Sequence, residues 1–180
     1  MAVLIEGLSV VIRVDAIKAR YPGGLEAFKA NAPNASCGQD GELARVGFMA
    51  PWDAKAFVES LERLGLTYLE GGMARDLVVV DQLQGPATPC DWIEGGHADL
   101  EHDPERRVLV ARLKGSRQEL VYTPDDWTFE TSLTRSFGYV PEEHVDKSLT
   151  FLRHENGLDV YLNSVTDAEV FVGRSGKAVR

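Results

Sequence analysis

The chain has 180 residues and a mass of 19.8 kDa, enough for one domain with a substantial core. Hydrophobic residues make up 44% and charged residues 26%, which excludes a disordered chain, a collagen or coiled-coil rod and a disulfide-dense miniprotein. The net charge of −9 argues against nucleic acid, because affinity for a phosphate backbone comes from Lys and Arg displacing counterions and no basic stripe is present.

From the N-terminus, residues 2–14 are almost continuously apolar and β-branched, interrupted at Gly7, and predict one bent strand or two short ones. Asp15 fits an N-cap for a short helix to about Tyr21, stopped by Pro22-Gly23-Gly24. A second short helix is expected from Leu25 to Asn31, then a turn at 38–41 and a strand from Leu43 to Phe48. Pro51 suits the first position of a longer helix, whose missing N–H costs nothing there. Ala54, Phe57, Val58, Leu61 and Leu64 recur at helical spacing and define its apolar stripe. Gly65 is placed just past its end, with Leu66 folding back on Leu61. Strand 66–70, a Gly71-Gly72 turn and strand 76–82 follow. Leu77-Val78-Val79-Val80 does not alternate and predicts a strand covered on both faces.

From Trp92 onward the sequence predicts a β-meander: strands 97–102, 107–114, 119–123 and 128–133, separated by Pro- and Gly-containing turns. Pro141 opens a second principal helix with Val145, Leu149 and Leu152 as its stripe and Gly157 as its stop. A hairpin of 158–163 with 169–173 closes the chain. Tyr161-Leu162-Asn163-Ser164-Val165-Thr166 with Phe171 is similar to one hairpin of WW domains. The similarity spans about eleven residues, and turn chemistry accounts for it without any function being carried over.

The fold class expected is α+β, mainly antiparallel sheet with two principal helices, in a single compact domain over 1–180. A duplication into two β-α-β-β halves, 1–86 and 91–180, is also expected from matching residues. Ile5-Glu6-Gly7 recurs as Ile93-Glu94-Gly95; Leu43, Arg45 and Pro51 as Leu133, Arg135 and Pro141; Arg63 as Arg153; Gly65-Leu66 as Gly157-Leu158.

No motif names a reaction. Gly173-Arg174-Ser175-Gly176-Lys177 lacks the spacing, the hydroxyl residue and the following helix of a phosphate loop. His97 and His102 sit among acidic residues, but five positions apart on a strand puts them on opposite faces, so no metal site and no cofactor is expected. His144 and His154 complete the histidines without a partner pattern. Cys37 and Cys90 make neither a disulfide framework nor a metal knuckle, and with an N-terminus lacking a basic n-region they favour a cytoplasmic protein. Arginine outnumbers lysine 13 to 6, the bias of a GC-rich bacterial source.

Two functions follow as expectations. The first is a non-enzymatic binding protein that docks or neutralises a basic protein partner through an acidic face, with Trp92, Asp91, Gln82 and Tyr139 at the contact. The alternative is a small thiol or carboxylate hydrolase with its site near Asp81, Gln82, Cys90 and Trp92, in which Cys90 is the nucleophile, His97 the base and Asp81 the orienting carboxylate. Oligomeric state is not legible.

Overall fold

The computed structural model describes residues 2–116, 120–125, 127–132, 134, 149–155, 158–163 and 168–173. It is α+β with mainly antiparallel pairing, as the sequence predicts.

The apolar N-terminal stretch forms β1 (Ala2–Ile5) and β2 (Leu8–Arg13), and the bend falls at Gly7, whose φ of 55° only glycine adopts without strain. Each half of the bent strand belongs to a different sheet. β2 is central in a five-stranded sheet, between β4 (Leu43–Phe48) and β7 (Leu77–Asp81), with β3 (Gly38–Gln39) and β8 (Gly85–Pro86) at its edges. β1 lies in a four-stranded sheet with the hairpin β9 (Ile93–Asp99) and β10 (Arg107–Leu113) on one side and β11 (Val121–Tyr122) on the other.

Strand alternation assigns the faces. Val10, Ile12, Ala44, Val46 and Leu77 point toward the helices α1 (Val14–Arg20), α2 (Gly24–Ala30) and α3 (Pro51–Arg63), where they meet Ile17, Phe28, Val58 and Leu61. Val11, Leu43, Val78 and Val80 point the other way and pack against Val3, Ile5 and Ala111 of the second sheet. The outer face of that second sheet, with Leu4, Val108 and Val110, is covered by Leu100, Trp127 and Phe129. The five-stranded sheet is therefore buried on both faces, and this explains why β7 is an unbroken apolar run.

α3 begins at Pro51 as expected and ends in a complete Schellman stop. Leu66 N–H donates to the Leu61 carbonyl at 3.1 Å, Gly65 N–H donates to Glu62 at 3.0 Å, and Gly65 takes a φ of 101°. Leu64, placed in the stripe by spacing, is 39% exposed because the buried face is already filled by Ala54, Val58 and Leu61.

Several expectations are corrected. Arg13, not Asp15, holds the cap position of α1, and Asp15 sits in the first turn, where its carboxylate accepts from its neighbour's N–H. Between residues 66 and 76 the strand pairing reduces to β5 (Leu69–Glu70) with β6 (Met73–Ala74) around Gly71-Gly72. The meander stops after β10. β11 crosses over to pair in parallel with β1, and residues 129–131 form a short 3-10 turn rather than a strand. The helix expected from Pro141 lies outside the described residues over 141–148. Its last two turns are instead the strand β12 (Leu149–Glu155), paired with β13 (Leu158–Asn163), which pairs in turn with β14 (Ala168–Gly173). In Leu149–Glu155 the backbone groups are satisfied by the antiparallel partner strand β13, and that pairing overrides the helical spacing.

The duplication does not survive this comparison. Residues 149–154, which it sets against the end of α3, are strand, and Ile93-Glu94-Gly95 lies within β9 whereas Glu6-Gly7 crosses between two sheets.

Candidate functional site

The residues expected to form a thiol site are not brought together. Cys90 is half-buried between the two sheets, and burial pushes its thiol up, away from the thiolate a nucleophile needs. Trp92 packs beside it and donates its indole N–H to the Ala74 carbonyl at 3.0 Å. His97 is exposed on β9, four positions beyond Ile93, about 13 Å along a strand at its usual rise. Asp81 ends β7 and accepts from the N–H groups of Leu83 and Gln84 at 2.7 and 3.0 Å, a turn role. Gln82 accepts from Gly7 N–H at 2.9 Å and so pins the crossing between the sheets. Asp91 is exposed, and Tyr139 lies outside the described residues. No group of three or more His, Cys, Asp or Glu able to hold a metal occurs among the described residues.

A different set of polar groups converges where the chain crosses from β1 to β2. On β4, Leu43, Arg45 and Gly47 share the face turned toward the second sheet. Arg45 is only 4% exposed there. Its cross-strand neighbours make room for it: Val11 lies opposite, and the Ser9–Gly47 pair beyond carries almost no side-chain bulk. The guanidinium passes over Gly47, whose missing Cβ would stand 2.7 Å from Nη2. Arg45 Nη1 donates to the Ser36 carbonyl at 3.0 Å, and Nε makes a long 3.4 Å bond to Ser9 Oγ. Nη2 has no hydrogen-bond partner among the described residues.

The surrounding loop is held in place from β4. Asn34 Nδ2 donates to the Gly47 carbonyl at 2.9 Å, and Gly47 N–H donates to Ser36 Oγ at 2.7 Å. This clamp fixes the Ser36 carbonyl that receives Arg45. Across the crossing, Glu6 is 7% exposed and its carboxylate accepts three hydrogen bonds. It accepts from Trp127 Nε1 at 2.9 Å, from Thr134 N–H at 3.1 Å and from Thr134 Oγ1 at 2.8 Å. Glu6 thereby ties Trp127 and Thr134 to the site, a contact between residues about 120 positions apart.

These groups line a cavity of about 600 Å³, within the usual range for small-molecule sites. Arg45 and Glu6 lie deep in it; Phe48, Met49 and Trp127 supply apolar wall; Asp53 and Asp125 are exposed at its rim. Burial pulls Arg45 down to about 10 even though the Glu6 charge opposes the shift, so the guanidinium stays charged at neutral pH at the expense of stability.

Two smaller cavities carry less chemistry. One of about 490 Å³ lies between α3 and β7 and is mostly apolar, with Asp81 at its edge and neither Cys90 nor His97 in its lining. One of about 330 Å³ contains Cys37, Gln39 and Tyr122, and there burial again raises the thiol.

In the sequence Arg45 stands out only as one half of the expected repeat, matched with Arg135. A local signal was present: in Leu43-Ala44-Arg45-Val46-Gly47 a charged residue sits on the inward parity of a buried strand, followed two positions later on the same face by glycine. Glu6 carried no comparable signal, because its partners come from the far end of the chain.

Gly47→Ala tests the packing directly. A methyl group there must displace the guanidinium, so any ligand held by Nη2 should bind about tenfold more weakly, while the melting temperature, measured alongside, changes little. A large drop in melting temperature would mean that the backbone, not Arg45, gave way.

No family model, no curated protein and no solved structure matches the chain.

Proposed function

We propose that this is a non-enzymatic binding protein whose ligand presents an oxyanion, a carboxylate or a phosphate, to Arg45. One observation carries the reading: a buried guanidinium lines a 600 Å³ cavity with Nη2 unpartnered among the described residues. A buried cation without a direct ion pair is costly, and an arriving oxyanion would supply the missing acceptor in a low-dielectric setting where charge-assisted bonds are strong. The separation of Cys90, His97 and Asp81 favours binding over hydrolysis. A cytoplasmic location belongs to the same proposal and is supported by two unpaired, half-buried cysteines; no helix among the described residues is long and apolar enough to cross a membrane.

The test is isothermal calorimetry with hexanoate and inorganic phosphate on the full chain and on Arg45→Gln. Binding by one of them, weakened about 10- to 100-fold in the variant, is the expected result. Equal affinity in both proteins would remove Arg45 from the site. Failure of both anions, with tight capture of a basic protein instead, would return the acidic-surface reading.

A further inference from the structure

The cavity is not simply cationic. Among the described residues its lining holds one buried positive group, Arg45, and two exposed carboxylates, Asp53 and Asp125. Glu6, the other acid in the lining, has its oxygens occupied by three donors from Trp127 and Thr134, so it is spent on holding the wall. The carboxylates of Asp53 and Asp125 form no ion pair or hydrogen bond among the described residues. A dianion such as phosphate would pass two like charges at the rim of a protein whose net charge is already −9 before meeting the Arg45 guanidinium inside. A carboxylate with a cationic group at its other end meets attraction at both depths. Phe48, Met49 and the Trp127 ring lie along the walls and suit an apolar body between the two ends.

Resting on the oxyanion reading above, we infer that the ligand is a small zwitterion that enters carboxylate first, its carboxylate on Arg45 Nη2 and its ammonium between Asp53 and Asp125. The two ends are read differently. The buried Arg45 contact sets most of the affinity and responds little to salt. The exposed rim contact selects for the cation and is screened as ionic strength rises.

The experiment compares 6-aminohexanoate with 6-hydroxyhexanoate, which keeps the carboxylate, the length and a polar end but loses the positive charge. Inorganic phosphate is the third probe. Calorimetry is run at low and at physiological ionic strength on the full chain, on Asp53→Asn/Asp125→Asn and on Arg45→Gln, with Arg45→Lys as the second variant should the glutamine protein fail to fold. The expected result is a preference of about three- to fivefold for the amino compound at low ionic strength, shrinking with salt and absent in the double asparagine protein. Both carboxylates should be lost together in the Arg45 variants. Equal binding of the two carboxylates to the unaltered protein, still sensitive to Arg45, overturns this inference and leaves the oxyanion site standing. A preference that persists without Asp53 and Asp125 removes the rim from the argument. Phosphate binding more tightly than either carboxylate overturns the zwitterion. Binding that ignores Arg45, or no binding, overturns the oxyanion reading and this inference with it.

Discussion

Leu61→Ala is expected to cost about 2–5 kcal/mol of folding stability in urea or thermal unfolding. Leu61 is 1% exposed and meets Phe28, Val58 and Leu66 in the core between the helices and the five-stranded sheet. Its carbonyl also accepts the Leu66 N–H that closes the Schellman stop, so the residue joins the packed stripe to the end of α3. The backbone bond survives the substitution. The loss is therefore transfer free energy plus a cavity that neighbours on three helices and a sheet cannot collapse to fill. A loss below about 1 kcal/mol would mean that α3 does not seal this core.

Arg45→Met should separate stability from binding. Desolvation lowers Arg45 to about 10, and a base less readily protonated in the native protein than in the unfolded chain costs stability wherever it carries its charge. The cost is complete below pH 10 and fades as pH rises above it toward the ordinary guanidinium range. At pH 7 it amounts to about 3 kcal/mol. Methionine fills similar space without charge but forfeits the bond to the Ser36 carbonyl, worth about 1 kcal/mol. The expected outcome at pH 7 is a stability between unchanged and about 2 kcal/mol higher, with oxyanion binding abolished. The difference between the two proteins should narrow above pH 10. A loss of more than about 3 kcal/mol would instead identify Arg45 as the structural counter-charge of Glu6, since breaking a buried pair strands the remaining charge. A residue whose removal stabilises the fold and destroys binding is retained for function.

Much of the fold was legible locally. The bend at Gly7, β4, α3 with its Pro51 start and Gly65 stop, the unbroken apolar run of β7 and the terminal hairpin are all written within about a dozen residues: caps, turns, φ preferences and apolar period. The sequence by itself determined these, because each is decided by a few neighbouring dihedrals and by which face is apolar. The two largest failures share one feature. Leu149–Glu155 carries a helical spacing yet pairs as a strand, and β11 leaves the predicted meander to join β1 more than a hundred residues away. Spacing states which residues share a face, but not whether a partner strand will offer its N–H and C=O groups.

The candidate site lies wholly on the tertiary side. Cys90, His97 and Asp81 are near one another in sequence, and strand geometry separates them. Glu6, Arg45 and Trp127 are far apart in sequence, and the crossing at Gly7 gathers them into one cavity. Arg45 lies on the inward parity of β4, a fact visible in Leu43–Gly47, but what makes it a recognition group is the second sheet that buries all but its cavity-facing edge and the Glu6–Trp127–Thr134 contacts that wall the cavity. Local chemistry sets which groups can bear charge and which way each strand turns them. Only the packing of two sheets sets how dry that charge becomes and which other groups share its space, because burial is a property of the whole surface closed over a residue and of no segment alone.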